Sequence, residues 1–234
     1  MASREDIDRN LTELFAAERT VRRLHAELSE VPEEQLLDAL LDAAKAASKE
    51  SSEDEASLRL VRISALLGEF DGPRVVDALI DVLGSEQPEA RLAAGEQLEG
   101  LAFERFKDVA LGVERAIKRL PVGSPALPEL PYMLAEVPEP GVSKLLAQFL
   151  GHQDPDAVAA AIEALVEVGD PSAARALQAL TKDERTVELA EDESGRTEEV
   201  TLGELAQEAI ELLGGDDDEP PEHKPPTMRR GGAS

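Results

Sequence analysis

The three histidines and the acids near them are the residues most able to do chemistry, because imidazole and carboxylate groups bind metals and transfer protons. His25, His152 and His223 lie in three separate segments of the 234-residue chain. His152 is followed by Asp154 and Asp156, which could act as further metal ligands. No second histidine is near in sequence, however, and Asp154 directly precedes a proline at a helix start, so capping explains it better. We predict no metal site and no cofactor.

The other reactive side chains form no catalytic constellation either. The chain has no cysteine, which excludes a thiol nucleophile and a thiolate metal site. Among 50 acids, no pair is singled out as general acid and base. The acidic run 216–219 lacks the spaced ligands and central glycine of a calcium loop. The glycine pairs 214–215 and 231–232 follow no predicted strand, so they indicate no phosphate loop. The sequence therefore predicts a protein that is not an enzyme.

The net charge of −26 indicates which partners the chain could hold. Nucleic-acid binding draws most of its affinity from cations that contact phosphates, and an anionic membrane surface repels an acidic chain in the same way. We therefore predict a protein partner with a basic patch, no nucleic acid and no membrane. The N-terminus is charged from Arg4 onward, and no run approaches the ~20 apolar residues of a spanning helix. The predicted location is the cytoplasm.

The segment 101–151 is the candidate protein-binding surface. Residues 101–150 hold six acids and six bases in an otherwise acidic chain. Six prolines between positions 121 and 140 interrupt the helices there, and aromatic residues and methionine are favoured at interface centres. The candidate partner-binding residues are Phe103, Phe106, Tyr132, Met133 and Phe149. The alternative interpretation is that the phenylalanines fill space left by short helices.

An apolar stripe runs along the N-terminal helix predicted over residues 4–30. Its residues recur at strict seven-residue spacing, as in a coiled-coil seam, with Leu11 and Leu24 beside them. The residues at this spacing are Ile7, Leu14, Val21 and Leu28. One interpretation packs the stripe on a helix at 33–48 of the same chain. The other has it recruit a partner helix or a second copy of the chain, which would make a homo-oligomer through residues 4–30.

Helical periodicity and an internal repeat describe the elements that position these residues. The stretches 87–98 and 154–165 both open with a proline at a helix start and continue as alanine-rich amphipathic helices, 67 residues apart. A separation of roughly twice 33 implies a unit in between, and hence a stack of helical hairpins. The predicted hairpins pair 55–69 (with Leu58 on its apolar face) with 74–84, 88–103 with 106–119, and 155–168 with 172–182, with an irregular unit over about 125–151.

These segments resemble HEAT repeats of the short bacterial type, which also occur in phycobilisome-lyase-like proteins. The resemblance lies in Asp or Gln followed by Pro-x-Ala-x-x-Ala-Ala in the first helix, Leu-x-x-x-Gly-Asp-Pro at the corner, and Ala-x-x-Ala-Leu in the second helix. It implies an α-solenoid that binds proteins and, in some members, a bilin chromophore or damaged DNA. It brings no catalytic residues to carry over, and this acidic chain lacks the basic groove that the DNA-binding members use.

The predicted fold class is all-α. We expect a right-handed α-solenoid of about four HEAT-like helical hairpins in residues 51–213, after an N-terminal helical hairpin in residues 1–50. Alternation of apolar and polar residues predicts a small β-hairpin insertion at about 185–202, before a capping helix at 203–213. The acidic, proline- and glycine-rich residues 214–234 predict a disordered tail.

The function predicted from these features is that of a non-enzymatic adaptor or regulator that binds a protein on its solenoid surface. One version sequesters or inhibits a partner enzyme. The alternatives are a chromophore-lyase-like or other enzyme of the HEAT-repeat class, or a scaffold that self-assembles through the N-terminal helix. The enzyme would need a deep pocket that holds His152 or Tyr132 beside buried acids.

Overall fold

The computed structural model describes residues 3–188 and 199–214. The predicted tail from residue 215 onward and the segment 189–198, which would connect the β-hairpin, lie outside the described residues. The chain divides into two compact units, Met1–Ala126 (unit 1) and Leu127–Ser234 (unit 2). Its longer helices are α1 (Arg4–Ser29), α2 (Glu33–Ala47), α3 (Glu53–Leu67), α4 (Pro73–Leu83), α5 (Pro88–Arg119), α6 (Ala126–Ala135), α7 (Val142–Phe149) and α8 (Pro155–Val168).

Local sequence signals determine the helix ends in unit 1. The Ser52 hydroxyl accepts the amide of Glu55 at the start of α3, and Gly72, at φ 102°, turns the chain into a proline at the first position of α4. Helix α5 is continuous as a rod, but Arg105 has non-helical angles (φ −144°, ψ 53°) and divides it in two. The two segments match the helices predicted at 88–103 and 106–119, so the predicted hairpin is present with a kink as its corner.

Packing in unit 1 runs between sequence neighbours. Helix α2 packs on α3, and both α3 and α4 pack on α5. The buried positions of α3 recur in α5 at an offset of 34 residues: Ala56, Leu60, Ser64 and Leu67 correspond to Ala90, Ala94, Leu98 and Leu101. The repeat read from the sequence is therefore also a repeat of buried positions.

Gly112 lies where α5 approaches α4 too closely for a side chain. A Cβ atom at residue 112 would lie 2.3 Å from Cγ1 of Val76, whereas nothing lies within 4 Å of one at Gly100 in the same helix. We expect Gly112→Ala to lower the free energy of unfolding by about 1–3 kcal/mol through overpacking. The matched control Gly100→Ala should raise it by about 0.5–1 kcal/mol, because alanine favours the helix. Urea denaturation followed by circular dichroism measures both, and a stabilising Gly112→Ala would contradict the close approach.

Unit 2 is built around α8. The Asp154 carboxylate accepts the amides of Asp156 and Ala157 at 3.0 and 3.2 Å, which caps the helix start. Gly169 ends α8 with a left-handed φ of 67°, as a C-terminal glycine does. Eight residues of α8 are buried, because α7 and the last helix, α10 (Leu202–Gly214), both pack on it. The helix predicted at 155–168 is confirmed.

The helix predicted at 172–182 is wrong in its regularity. The chain there forms a 3₁₀ turn (Pro171–Ala173), a single α-helical turn α9 (Ala174–Leu177) and a second 3₁₀ turn (Gln178–Leu180). The Asp170 carboxylate takes the Ser172 amide at 3.0 Å, and the Thr181 hydroxyl donates to the Gln178 carbonyl at 3.1 Å. Side chains thus satisfy backbone groups at both ends, which favours tight turns over a continued α-helix.

The predicted β-hairpin is confirmed in its two strands. Strand β1 (Thr186–Glu188) pairs antiparallel with β2 (Glu199–Thr201), and Val187 lies opposite Val200. Val187 is buried because β1 packs on α8, and β2 contacts α10. Stacked helical pairs with this small insertion make the chain an all-α solenoid.

Candidate protein-binding surfaces

A groove of about 1400 Å³ lies in unit 1. Val21 of α1 stands at one side, α2 contributes small residues from its last turns, and α3 supplies the long central wall. The start of α5 forms the opposite side. Its apolar lining residues are Val21, Ala43, Ala46, Leu58, Val61, Ile63, Ala65 and Pro88.

Leu58 gives the groove its main apolar contact. Its side chain is 67% exposed although it lies in the middle of a packed helix. Leu92, at the equivalent position 34 residues later, is 66% exposed. The predicted assignment of Leu58 to a buried face is wrong, because the buried face of α3 runs through Ala56, Leu60 and Ile63 instead. Large apolar residues that recur in the open at one repeat position are typical of a surface that another molecule covers.

The rim of the groove is mostly acidic. Glu53 and Asp54 lie at the start of α3, and Glu86 and Glu89 lie at the start of α5. Arg59, also in the lining, is engaged by Glu55 at 2.7 Å and by a second glutamate. The groove therefore presents an apolar floor between carboxylates.

The candidate residues of segment 101–151 that belong to unit 1 lie beside the kink in α5. Phe103 is exposed and Phe106 is half-buried. The balanced charge of this segment has an internal cause, since three of its arginines pair with aspartates at the end of α3 and on α4. These pairs are Arg105 with Asp71 at 2.6 Å, Arg115 with Asp77 at 2.9 Å, and Arg119 with Asp81 at 2.5 Å.

The candidates in unit 2 have different environments. Tyr132 is partly exposed and donates its hydroxyl to Glu163 at 2.6 Å. Burial and this carboxylate raise the pKa of Tyr132 well above its ordinary value. Met133 is half-buried. Phe149 is fully buried, so its assignment to a binding surface is corrected: it lies on the buried face of α7, which packs on α8.

The N-terminal stripe is largely uncovered by the described residues of unit 1. Helix α1 has no buried residue. Ile7, Leu14 and Leu28 are exposed, and Val21 is half-buried at the groove. His25 forms an ion-pair contact with Glu69 at 2.9 Å, so the C-terminal part of α1 rests on unit 1 while the N-terminal part does not.

The groups that an enzyme or metal site would use are engaged in structure. The ring Nδ1 of His152 accepts the amide of Asp154 at 3.1 Å, and Tyr132 is bonded to Glu163. Among residues 3–188 and 199–214, no three His, Cys, Asp or Glu side chains are placed to hold a metal ion. The helices in these ranges include none that has the length and apolar character to cross a bilayer.

A family model described as HEAT repeats matches residues 132–192. This is a HEAT-repeat protein. The matched residues include 132–151, where the sequence shows only an irregular unit. HEAT repeats are generally protein-interaction scaffolds, and their solenoid fold is usually non-catalytic.

Two solved structures are similar to the chain, both described as crystal structures of engineered proteins. The first is 20% identical, with 84% of this chain and 97% of that one covered at a TM-score of 0.35. The second is 18% identical, with 81% and 89% covered at the same TM-score of 0.35. No curated protein matches the sequence.

Proposed function

We propose that this protein is a non-enzymatic, cytoplasmic adaptor or regulator that holds a helical segment of a partner protein in the groove of unit 1. The observation that carries the proposal is Leu58, which is exposed on the groove wall in the middle of a packed helix. A volume of about 1400 Å³ exceeds the ~300–1,000 Å³ of ordinary small-molecule pockets. An elongated, apolar, open site of this size suits the apolar face of an amphipathic helix.

The acids on the rim specify the charge of that helix. Glu53, Asp54, Glu86 and Glu89 flank the apolar floor, so basic side chains on the edges of the bound helix would meet carboxylates on both sides. The net charge of −26 attracts a basic partner over long range and speeds its association. Sequestration or inhibition of a partner enzyme is the version of this role that we favour, because a bound helix is withheld from its other contacts.

The proposal is tested by affinity capture with the full chain from native lysate at moderate salt, with and without crosslinking. We expect a stoichiometric protein partner whose capture falls at least tenfold with Leu58→Asp, because a charge in an apolar contact costs more than the ~1.4 kcal/mol of a tenfold effect. Capture should also weaken as salt rises, because the rim charges are screened.

The matched control is Leu212→Asp, which changes a 62% exposed leucine on α10 of unit 2. It should leave capture unchanged. Absence of any stoichiometric partner after crosslinking, or equal capture by Leu58→Asp, would contradict the proposal.

A further inference from the structure

The N-terminal part of α1 carries an apolar stripe that none of the described residues of unit 1 covers. Every residue from 7 to 20 is exposed. The helix has 26 residues, about 39 Å at 1.5 Å per residue, so it extends well past its half-buried contacts at Val21 and His25. The exposed large apolar side chains of α1 are Ile7, Leu11, Leu14, Phe15, Leu24 and Leu28.

The charges on α1 divide it into two halves of opposite sign. Residues 4–14 hold four acids and two arginines, a net charge of −2. Residues 15–25 hold one glutamate and three arginines, a net charge of +2 with His25 neutral. Two such helices placed antiparallel bring each acidic half onto a basic half, whereas a parallel pair sets like charges together. The helix is therefore complementary to a reversed copy of itself.

We propose that two copies of this chain pair through α1 as an antiparallel coiled coil, with the two-fold axis between residues 15 and 16. In this register Ile7 of one copy faces Leu24 of the other, and Leu14 faces Ala17. The same surface serves both copies, as a two-fold interface requires. Six exposed large apolar side chains per copy place twelve in the seam, which is what covers them.

The charged positions fit the same register. Arg23 of one copy lies opposite Asp8 of the other, and Arg19 lies beside Glu13. Arg23 already contacts Glu27 at 2.5 Å within its own helix, so a second carboxylate extends that pair into a network. Because both faces of the seam carry such pairs, the association should weaken as salt screens them.

The molar mass of the full chain in solution tests the pairing. We expect light scattering behind size exclusion to give twice the chain mass of 25.1 kDa for the wild type and a single chain mass for Leu14→Glu. Leu14 is 61% exposed, so the variant should keep its helical circular dichroism. The control Leu58→Asp should stay dimeric. A monomeric wild type or a dimeric Leu14→Glu would overturn the proposal. A monomeric Leu58→Asp would show that the groove holds the second copy instead.

Charge reversal provides a second test that does not touch the apolar stripe. Asp8→Lys with Glu13→Lys makes α1 basic throughout, and Arg19→Glu with Arg23→Glu makes it acidic throughout. Each double variant alone should be monomeric, and an equal mixture should restore a dimer. Dimers of either variant alone would overturn the proposed complementarity.

Crosslinking settles the orientation, because the chain has no native cysteine. A mixture of Ile7→Cys and Leu24→Cys chains should form disulfide-linked dimers under oxidising conditions, and neither variant alone should do so. A dimer linked by Ile7→Cys alone would mean a parallel pair and would overturn the antiparallel arrangement.

Discussion

Replacing Phe149 by alanine is expected to lower the free energy of unfolding of unit 2 by about 3–5 kcal/mol, because the ring is fully buried and its removal leaves a cavity. The chain has one tyrosine and no tryptophan, and that tyrosine, Tyr132, lies in unit 2. Tyrosine fluorescence during urea denaturation therefore reports this unit alone. The midpoint should move to lower urea with an unchanged slope.

Phe103→Ala is the matched control for the Phe149 result. Phe103 is 51% exposed in unit 1, so its replacement should change the free energy of unfolding by no more than about 0.5 kcal/mol. A small effect at Phe149, equal to that at Phe103, would show that the buried position does not contribute to the core and would reopen its role at a surface.

Replacing Arg185 by alanine is expected to cost about 2–3 kcal/mol of unit 2 stability, since it removes several hydrogen bonds to a charged group. The guanidinium donates to the His152 and Gln153 carbonyls at 2.8 and 3.2 Å and holds the Asp183 carboxylate at 2.6 Å. It thereby ties the corner before α8 to the start of β1. Arg175→Ala, at an exposed position of α9, should stay within about 0.5 kcal/mol.

The loss at Arg185 should depend on pH. Hydrogen bonds from Arg185 hold the pKa of Asp183 below its ordinary value of 3.8. A depressed folded pKa contributes stability that is present above the unfolded value and is lost as pH falls through the folded value. Urea denaturation of the wild type and Arg185→Ala should therefore differ most above pH 3.8 and converge in stronger acid. A difference that persists unchanged at low pH would count against the ion pair as its cause.

Local signals made much of the fold predictable from sequence. Prolines at helix starts, Gly72 and Gly169 at corners and the capping aspartate at 154 act within a few residues, so the helix ends at 73, 88, 155 and 168 follow from composition alone. The broken stretch between 171 and 180 was not predictable, because its tight turns depend on α7 and α10, which pack against it from distant parts of the sequence.

The candidate surfaces were less accessible to sequence reasoning, because exposure depends on what packs against a helix. Leu58 reads as a core residue by periodicity, and only the 34-residue offset from Leu92 sets it apart from the buried positions of α3. Phe149 reads as an interface aromatic and is buried. The neutral charge of segment 101–150 reflects arginines that pair with Asp71, Asp77 and Asp81, which is a contact between neighbouring helices and not a recruiting surface.

The packing of α2 on α3, and of α3 and α4 on α5, joins parts of the chain that are close in sequence. Short loops close at little entropic cost, so a topology of this kind folds quickly, and nucleation can begin in any pair and spread to the next. During synthesis, α3 and α4 can pair as soon as residue 83 has left the ribosome, long before the last helix exists. A nascent chain of this protein therefore exposes little unfinished core at any moment.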